Sequence, residues 1–414
     1  MGGGLALDTG PAADGVWPDA ELDVDALLRR GWRPAPLRQF ILKLHSRCNL
    51  GCDYCYVYRS ADQSWRNQPP RMTPATVAQI SQRIGEHVRR HGLSEVRVTL
   101  HGGEPLLVGP DHLDLVCTTL RSAMPAGVFL DLCVQTNGTL LDIPRLDVLR
   151  RHQVRVGVSL DGLAVTHDAS RSDAGGRGSH ALVTAGLGRL RSAPYRDLFA
   201  GLLCVVDLRA DPLATYEHLV AYEPPVVDFL LPHANWANPP RGTSDQRSAP
   251  YGEWLIAAFD RWCSARHPET SVRLFQEIIR GLVGRASHVE TIGLSPARLV
   301  VVETDGSIEQ LDALKSAYHG AAATGLSVDH DPFDAALLLP GIVARQIGVE
   351  ALSGTCRRCP IVRVCGGGHY PHRYHPATGF RNPSVYCEDL AVLIRHMASR
   401  LRDAVRICRV PRSA

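Results

Sequence analysis

From residue 40 to about 235, short runs rich in Val and Leu alternate with stretches of helical periodicity, six times over. The runs at 40–46, 95–101, 129–136, 154–160, 198–206 and 226–232 are bounded by Gly, Pro or Asp and read as strands. The stretches at 74–91, 111–124, 142–152, 180–193 and 212–222 read as helices. The first of these opens on Thr73 as N-cap, with Pro74 at the first helical position. Alternation of this kind predicts parallel strands joined by crossover helices. Six repeats predict an α/β fold, a partial (β/α)6 TIM-like barrel, with its chemistry at the C-terminal ends of the strands.

The pattern changes on either side. Residues 1–20, rich in Gly, Ala, Asp and Pro, read as a flexible tail, and Asp23 to Arg30 as a short helix. After the sixth strand, 237–250 reads as a linker, followed by helical patterns at 250–266 and 271–286. Asp305-Gly306 between apolar runs over 299–311 predicts a hairpin. Residues 316–350 give only mixed loop and helix. Leu390, Leu393, Ile394 and Met397 mark 388–407 as an amphipathic closing helix. The expected division is an N-terminal segment 1–35, a core 36–236, a helical linker region 237–290 and a small α+β domain 291–414.

Composition narrows the function classes. The 414 residues are 45% hydrophobic and 21% charged, enough for a sizeable core. The net charge of +3 is spread along the chain and argues against a nucleic-acid protein. No apolar run of about 18 residues predicts a membrane span, and the first 35 residues lack the layout of a signal peptide. Twelve cysteines, clustered rather than spread, fit a reducing cytoplasm and metal ligation better than a disulfide framework.

The first cluster, Cys48-x3-Cys52-x2-Cys55, follows the first strand directly. Three thiols are an odd number for a metal cage. A structural zinc wants four ligands, whereas a four-iron cluster held by three thiolates keeps one iron open. A disulfide, or a zinc knuckle with a distant fourth ligand, is the alternative. Strand two ends in Gly102-Gly103-Glu104-Pro105, two glycines that permit close approach and a carboxylate able to accept from an ammonium group. Strands three and four end in Gln135 and Asn137, and in Ser159 and Asp161, small polar groups suited to hydroxyls and carboxylates but also to plain turns. His233 and Trp236 follow strand six at the expected barrel mouth. The second cluster, Cys356-x2-Cys359-x5-Cys365 with Cys387, offers four thiols for zinc or iron–sulfur.

These motifs resemble the radical S-adenosylmethionine (radical SAM) enzymes with a SPASM-type C-terminal extension. Within them, the stretches 40–58, 100–105, 228–236 and 356–387 resemble the maturases that form three-residue cyclophanes in ribosomal peptides. The resemblance implies a [4Fe-4S] cluster on Cys48, Cys52 and Cys55 that binds SAM. It implies SAM contacts at Tyr54, Gly102, Gly103, Glu104, Gln135, Asn137, Ser159, Asp161 and Arg171. An auxiliary [4Fe-4S] cluster is implied on Cys356, Cys359, Cys365 and Cys387. A second auxiliary cluster is expected to be lost, because Leu311 and His369 stand where its cysteines would fall. Asp312 is implied as a base, against its reading as a turn aspartate, and His233, Trp236, Tyr370 and Arg373 as substrate contacts. The implied reaction reductively cleaves SAM, and the radical abstracts a Cβ hydrogen from a precursor peptide to form a C–C crosslink to an aromatic ring. A thioether crosslink, formylglycine formation, or a non-catalytic iron–sulfur role in electron transfer or peptide binding are the alternatives. The implied partners are the precursor peptide and an electron donor such as flavodoxin or ferredoxin.

Overall fold

The structure, a computed structural model, describes residues 16–242 and 248–409, with side chains to residue 403. Most of the expected tail, part of the expected linker and the side chain of Cys408 lie outside the described residues.

Six parallel strands form the core: β1 (Gln39–His45), β2 (Glu95–Gly102), β3 (Phe129–Thr136), β4 (Arg155–Ser159), β5 (Phe199–Val205) and β6 (Val226–Leu230). They lie in sequence order, each parallel to the last. Side chains alternate across a strand, and the two faces differ in kind. Phe40, Leu42 and Leu44, Val96, Val98 and Leu100, and Leu130, Leu132 and Val134 are buried on one face. The crossover helices cover that face. Pro74–His91 packs through Val77, Ile80, Ile84 and Val88, spaced for one helical stripe. Thr73 caps it, its Oγ1 accepting from the Thr76 N–H at 3.1 Å, and Gly92 ends it in the left-handed conformation. The opposite face carries Lys43, His101, Gln135 and Ser159, so it is polar and available for chemistry.

The sheet does not stop at six strands. β7 (Ser271–Val272) pairs parallel with β6. β8 (Leu299–Val302) pairs parallel with β1, and β9 (Ser307–Glu309) and β10 (Ala323–Ser327) add antiparallel beyond it. The hairpin expected in a separate C-terminal domain is thus an extension of the core sheet, next to the strand that leads into the cysteine loop. The expected linker region is likewise built in. Helix Pro250–Ser264 packs on Cys387–Arg409 and on Pro212–Val220. No helix among the described residues is long and apolar enough to cross a membrane.

Candidate active site

The cysteine loop leaves β1 and is held by its neighbours' backbones. Gly51 N–H donates to Ser172 O at 2.7 Å and Asp53 N–H to Ser170 O at 3.0 Å. Gly103 N–H donates to His45 O at 2.8 Å and Glu104 N–H to Arg47 O at 3.0 Å. A Cβ at Gly102 would overlap His45 O, and one at Gly103 would overlap Tyr58 Oη and the Arg47 backbone. These glycines are therefore required by the stem of the cysteine loop. The backbone of 102–104 presses directly on that stem.

Glu104 is fully buried. Its Oε1 accepts from Leu106 N–H at 3.0 Å and Thr136 Oγ1 at 2.7 Å, and Oε2 from Asn137 N–H at 2.8 Å. Three of the roughly four acceptor positions of a carboxylate are filled. Glu104 ties the end of β2 to the end of β3 and keeps one acceptor position for a further donor. Asn137 is also turned inward. Its Nδ2 lies 2.9 Å from Asn49 Oδ1 and 3.7 Å from Cys48 Sγ, and its Oδ1 accepts from Thr139. Gln135 Nε2 donates to Ser159 Oγ at 3.1 Å, joining the ends of β3 and β4 on the polar face.

Tyr54, Asp161 and Arg171 form one buried group. Arg171 Nη1 donates to Tyr54 Oη at 2.7 Å, and the Tyr54 hydroxyl donates to Asp161 Oδ2. Asp161 Oδ1 accepts from Val205 N–H at 2.9 Å. Each Asp161 oxygen carries one of these bonds, so the carboxylate positions Tyr54 and Arg171 while it lines the neighbouring cavity. Arg171 Nε, by contrast, is buried with no hydrogen-bond partner. Next to this group opens a cavity of about 390 Å³. Asp53 and Tyr54 wall it on one side, Val205 to Arg209 and Pro232 to Ala234 on the other.

The residues fit the implied cofactors. Cys48, Cys52, Cys55, Cys356, Cys359, Cys365 and Cys387 are all free thiols. Leu50 N–H points at Cys48 Sγ at 3.4 Å. Burial pushes the thiols of Cys48 and Cys387 up to about 12 and that of Cys365 up to about 11, with neighbouring cysteines of the same cluster adding to the rise at Cys387. Such groups become thiolates only opposite a cation, which is what a metal cluster provides. The orphaned Arg171 Nε suits a carboxylate such as that of SAM.

Three of the four expected substrate contacts are engaged by the protein itself. Arg373 grips the carbonyls of Gly366, Gly367 and Gly368 at 2.7, 3.1 and 2.5 Å, closing the turn after Cys365. All three glycines have positive φ. Tyr370 is buried and stacks on Phe380 at 4.6 Å. Trp236 donates its indole N–H to Pro383 O at 2.9 Å, which clamps the end of β6 to the extension. Of the four, only His233 lines the cavity.

Asp312 lies on none of the cavity walls. It is buried behind Tyr56, whose hydroxyl donates to Oδ2 at 3.1 Å. Lys43 Nζ sits 2.7 Å from Oδ2 and Lys315 Nζ 3.3 Å from Oδ1. Burial alone would raise its carboxyl, but the two lysines outweigh it and hold the group well below the usual range. The same lysines pair with Glu303, and Lys315 also pairs with Glu309 at 2.8 Å. Sequence reasoning missed this network. Its one visible signal was Lys43, a lone charge inside Phe40-Ile-Leu-Lys-Leu44, which in a buried strand demands an anionic partner.

Residues 42–206, the stretch that holds the cysteine loop and most of the strands building this site, match the model of the Radical SAM superfamily. SAM and [4Fe-4S] clusters are the cofactors of that class. The chain is 26% identical over 352 residues to a serine-type anaerobic sulfatase-maturating enzyme of Klebsiella aerogenes, a match covering 82% of this chain and 81% of the relative. The solved structure of native anSMEcpe with bound AdoMet superposes with a TM-score of 0.74 at 21% identity, covering 89% of this chain and 99% of that one. Streptococcus suis SuiB bound to precursor peptide SuiA superposes with a TM-score of 0.57 at 12% identity, covering 88% and 78%. These likenesses establish the α/β fold of the core.

Proposed function

We propose that the chain is a radical SAM oxidoreductase that modifies a ribosomally made peptide, removing a Cβ hydrogen and joining that carbon to an aromatic side chain. The observation that carries the peptide reading is the cavity beside the cysteine loop. At about 390 Å³, with polar and apolar groups on its walls, it has the size of a single ligand pocket. It supports an extended chain laid across Tyr54 and His233. When bound, the SAM-bearing cluster on Cys48, Cys52 and Cys55 supplies a hydrogen-abstracting radical, and one auxiliary cluster on Cys356, Cys359, Cys365 and Cys387 supplies an electron acceptor. A flavodoxin or ferredoxin is the proposed source of the reducing electron.

The chain's own residues do the rest. Arg171, held by Tyr54 and Asp161, receives the SAM carboxylate on its unpartnered Nε. The backbone of Gly102 and Gly103, with Gln135 and Ser159, borders the SAM site. Asn137 directs an N–H at Cys48 and fixes the loop. Tyr56 passes a proton from the substrate side to Asp312, its oxygen accepting as its hydrogen moves on.

An arene that has gained a bond and given up an electron is an acidic cation, and Asp312 is the carboxylate proposed to take its proton by way of Tyr56. The second reading, formylglycine formation, rests on the named activity of the sulfatase-maturating relatives. A thioether would need a cysteine in the substrate. The test is anaerobic turnover with candidate precursor peptides, read by tandem mass spectrometry and hydrazide labelling. A product two hydrogens lighter, unreactive to hydrazide and bonded through an aromatic ring is expected. An aldehyde in place of a crosslink would overturn the arene reading and leave the peptide reading standing.

A further inference from the structure

Three histidines from distant parts of the chain converge at the seam between core and extension. His233 follows β6, and His369 and His372 follow the auxiliary cysteines. One ring nitrogen of each lies within 4.8 Å of the others. The ring centroids are 5.9 Å apart for His233 and His369, 5.9 Å for His233 and His372, and 5.1 Å for His369 and His372. His233 Nδ1 and His372 Nε2 are buried with no hydrogen-bond partner, and His372 is only 4% exposed. A buried polar atom of this kind is normally satisfied, and two in one cluster point to a missing ligand.

We propose that His233, His369 and His372 bind a divalent transition-metal ion, zinc by preference, with its fourth position open. Imidazole nitrogens about 2.0 Å from a tetrahedral zinc stand about 3.3 Å apart, and their ring centroids about 5.2 Å apart. One of the three centroid separations already meets this value, and the other two require less than about 1 Å of closure. The rings are also in the ligating state. Burial holds His233 down at about 4, and holds His369 and His372 well below the ordinary value, so all three are neutral. No cysteine occurs between Cys263 and Cys356, and position 369 is histidine, so the donor set is nitrogen only. It is chemically distinct from the two cysteine clusters, and it suits zinc better than an iron–sulfur cluster.

The ion would fasten the mouth of the core to the extension. The two parts already meet there, with the Tyr386 hydroxyl donating to Pro232 O at 2.8 Å and Trp236 to Pro383 O. His233 lines the cavity, so the ion would border the place proposed for the peptide. Tyr56 packs edge-on against His233 at 4.7 Å.

The test uses the anaerobically reconstituted holoenzyme, stripped of loose metal on a chelating resin and titrated with Zn2+ alone. Bound zinc, iron and sulfide are measured together, and the zinc X-ray absorption edge reports the ligands. About one zinc per chain is expected, with nitrogen and oxygen ligands near 2.0 Å and no sulfur. His372→Gln and His369→Gln are each expected to weaken zinc binding at least about 100-fold while iron content stays that of the parent. His372 packs on Tyr386, so His233→Gln, on the core side, provides an independent variant if the first pair folds poorly. No saturable zinc, zinc bound through sulfur, or equal binding by the variants would overturn the proposal. Iron content and SAM cleavage are read separately, so loss of the zinc site leaves the radical SAM reading untouched.

Discussion

Replacing Glu309 with glutamine should make the protein more stable, by a margin that grows as pH rises towards 8. Glu309 shares its buried site with Glu303 and Asp312 against the ammonium groups of Lys43 and Lys315. Burial pushes its carboxyl up to about 8, and repulsion from Glu303 and Asp312 adds to this against the pull of Lys315. A folded-state value raised above the unfolded one means that stability is complete at low pH and is lost as pH climbs from the unfolded value towards 8. With an unfolded value near 4.3 and 1.36 kcal/mol per unit, the loss between pH 6 and pH 8 is about 2 kcal/mol. Asp312 runs the other way. Its depressed carboxyl contributes stability above about pH 4 that disappears on acidification. The assay is urea unfolding of the reconstituted protein at half-unit intervals from pH 5.5 to 8.5, parent against Glu309→Gln. The parent should lose about 2 kcal/mol more than the variant across pH 6 to 8. Parallel curves would refute the reasoning, because they would mean that Glu309 is ionised throughout.

Tyr54→Phe removes the hydroxyl that links Arg171 to Asp161. At about 1.4 kcal/mol for that bond, SAM should bind roughly tenfold more weakly by equilibrium dialysis. Arg373→Lys loses the fork that holds three glycine carbonyls behind Cys365. Iron should fall by about four atoms per chain while the SAM-binding cluster stays. Asp312→Asn and Tyr56→Phe should each slow crosslinked product by about 100-fold and leave 5′-deoxyadenosine formation largely intact, a split visible when both are followed in one reaction.

The strands and helices of the core were legible because each is a local signal. The apolar runs, the Thr73-Pro74 start and the Gly92 stop act within a few residues, and the observed ends fall within about two residues of the expected ones. The cysteine clusters were legible because metal ligation fixes residue type and spacing. What the sequence hid was mostly reciprocal contact between distant segments. Glu104 carries a motif that reads as ligand-binding, and its bonds to the end of β3, more than thirty residues away, could not be read from that motif. The backbone partners of Asp161 and Arg373 were hidden for the same reason, since a charged group beside a site looks the same in sequence whether it faces ligand or backbone. β10 was missed because Ala323-Thr-Gly-Leu-Ser327 is an edge strand with little apolar pattern. The histidine cluster spans His233 to His372, and no spacing rule connects them.

The central claim is that Cys48, Cys52 and Cys55 carry the cluster that cleaves SAM. The measurement is 5′-deoxyadenosine formed by the anaerobically reconstituted, dithionite-reduced protein, beside a variant with all three changed to alanine. The parent should hold about eight irons per chain and form 5′-deoxyadenosine from SAM, and the variant should hold about four and form none. Equal 5′-deoxyadenosine from both, or none from a parent with both clusters in place, would contradict the account.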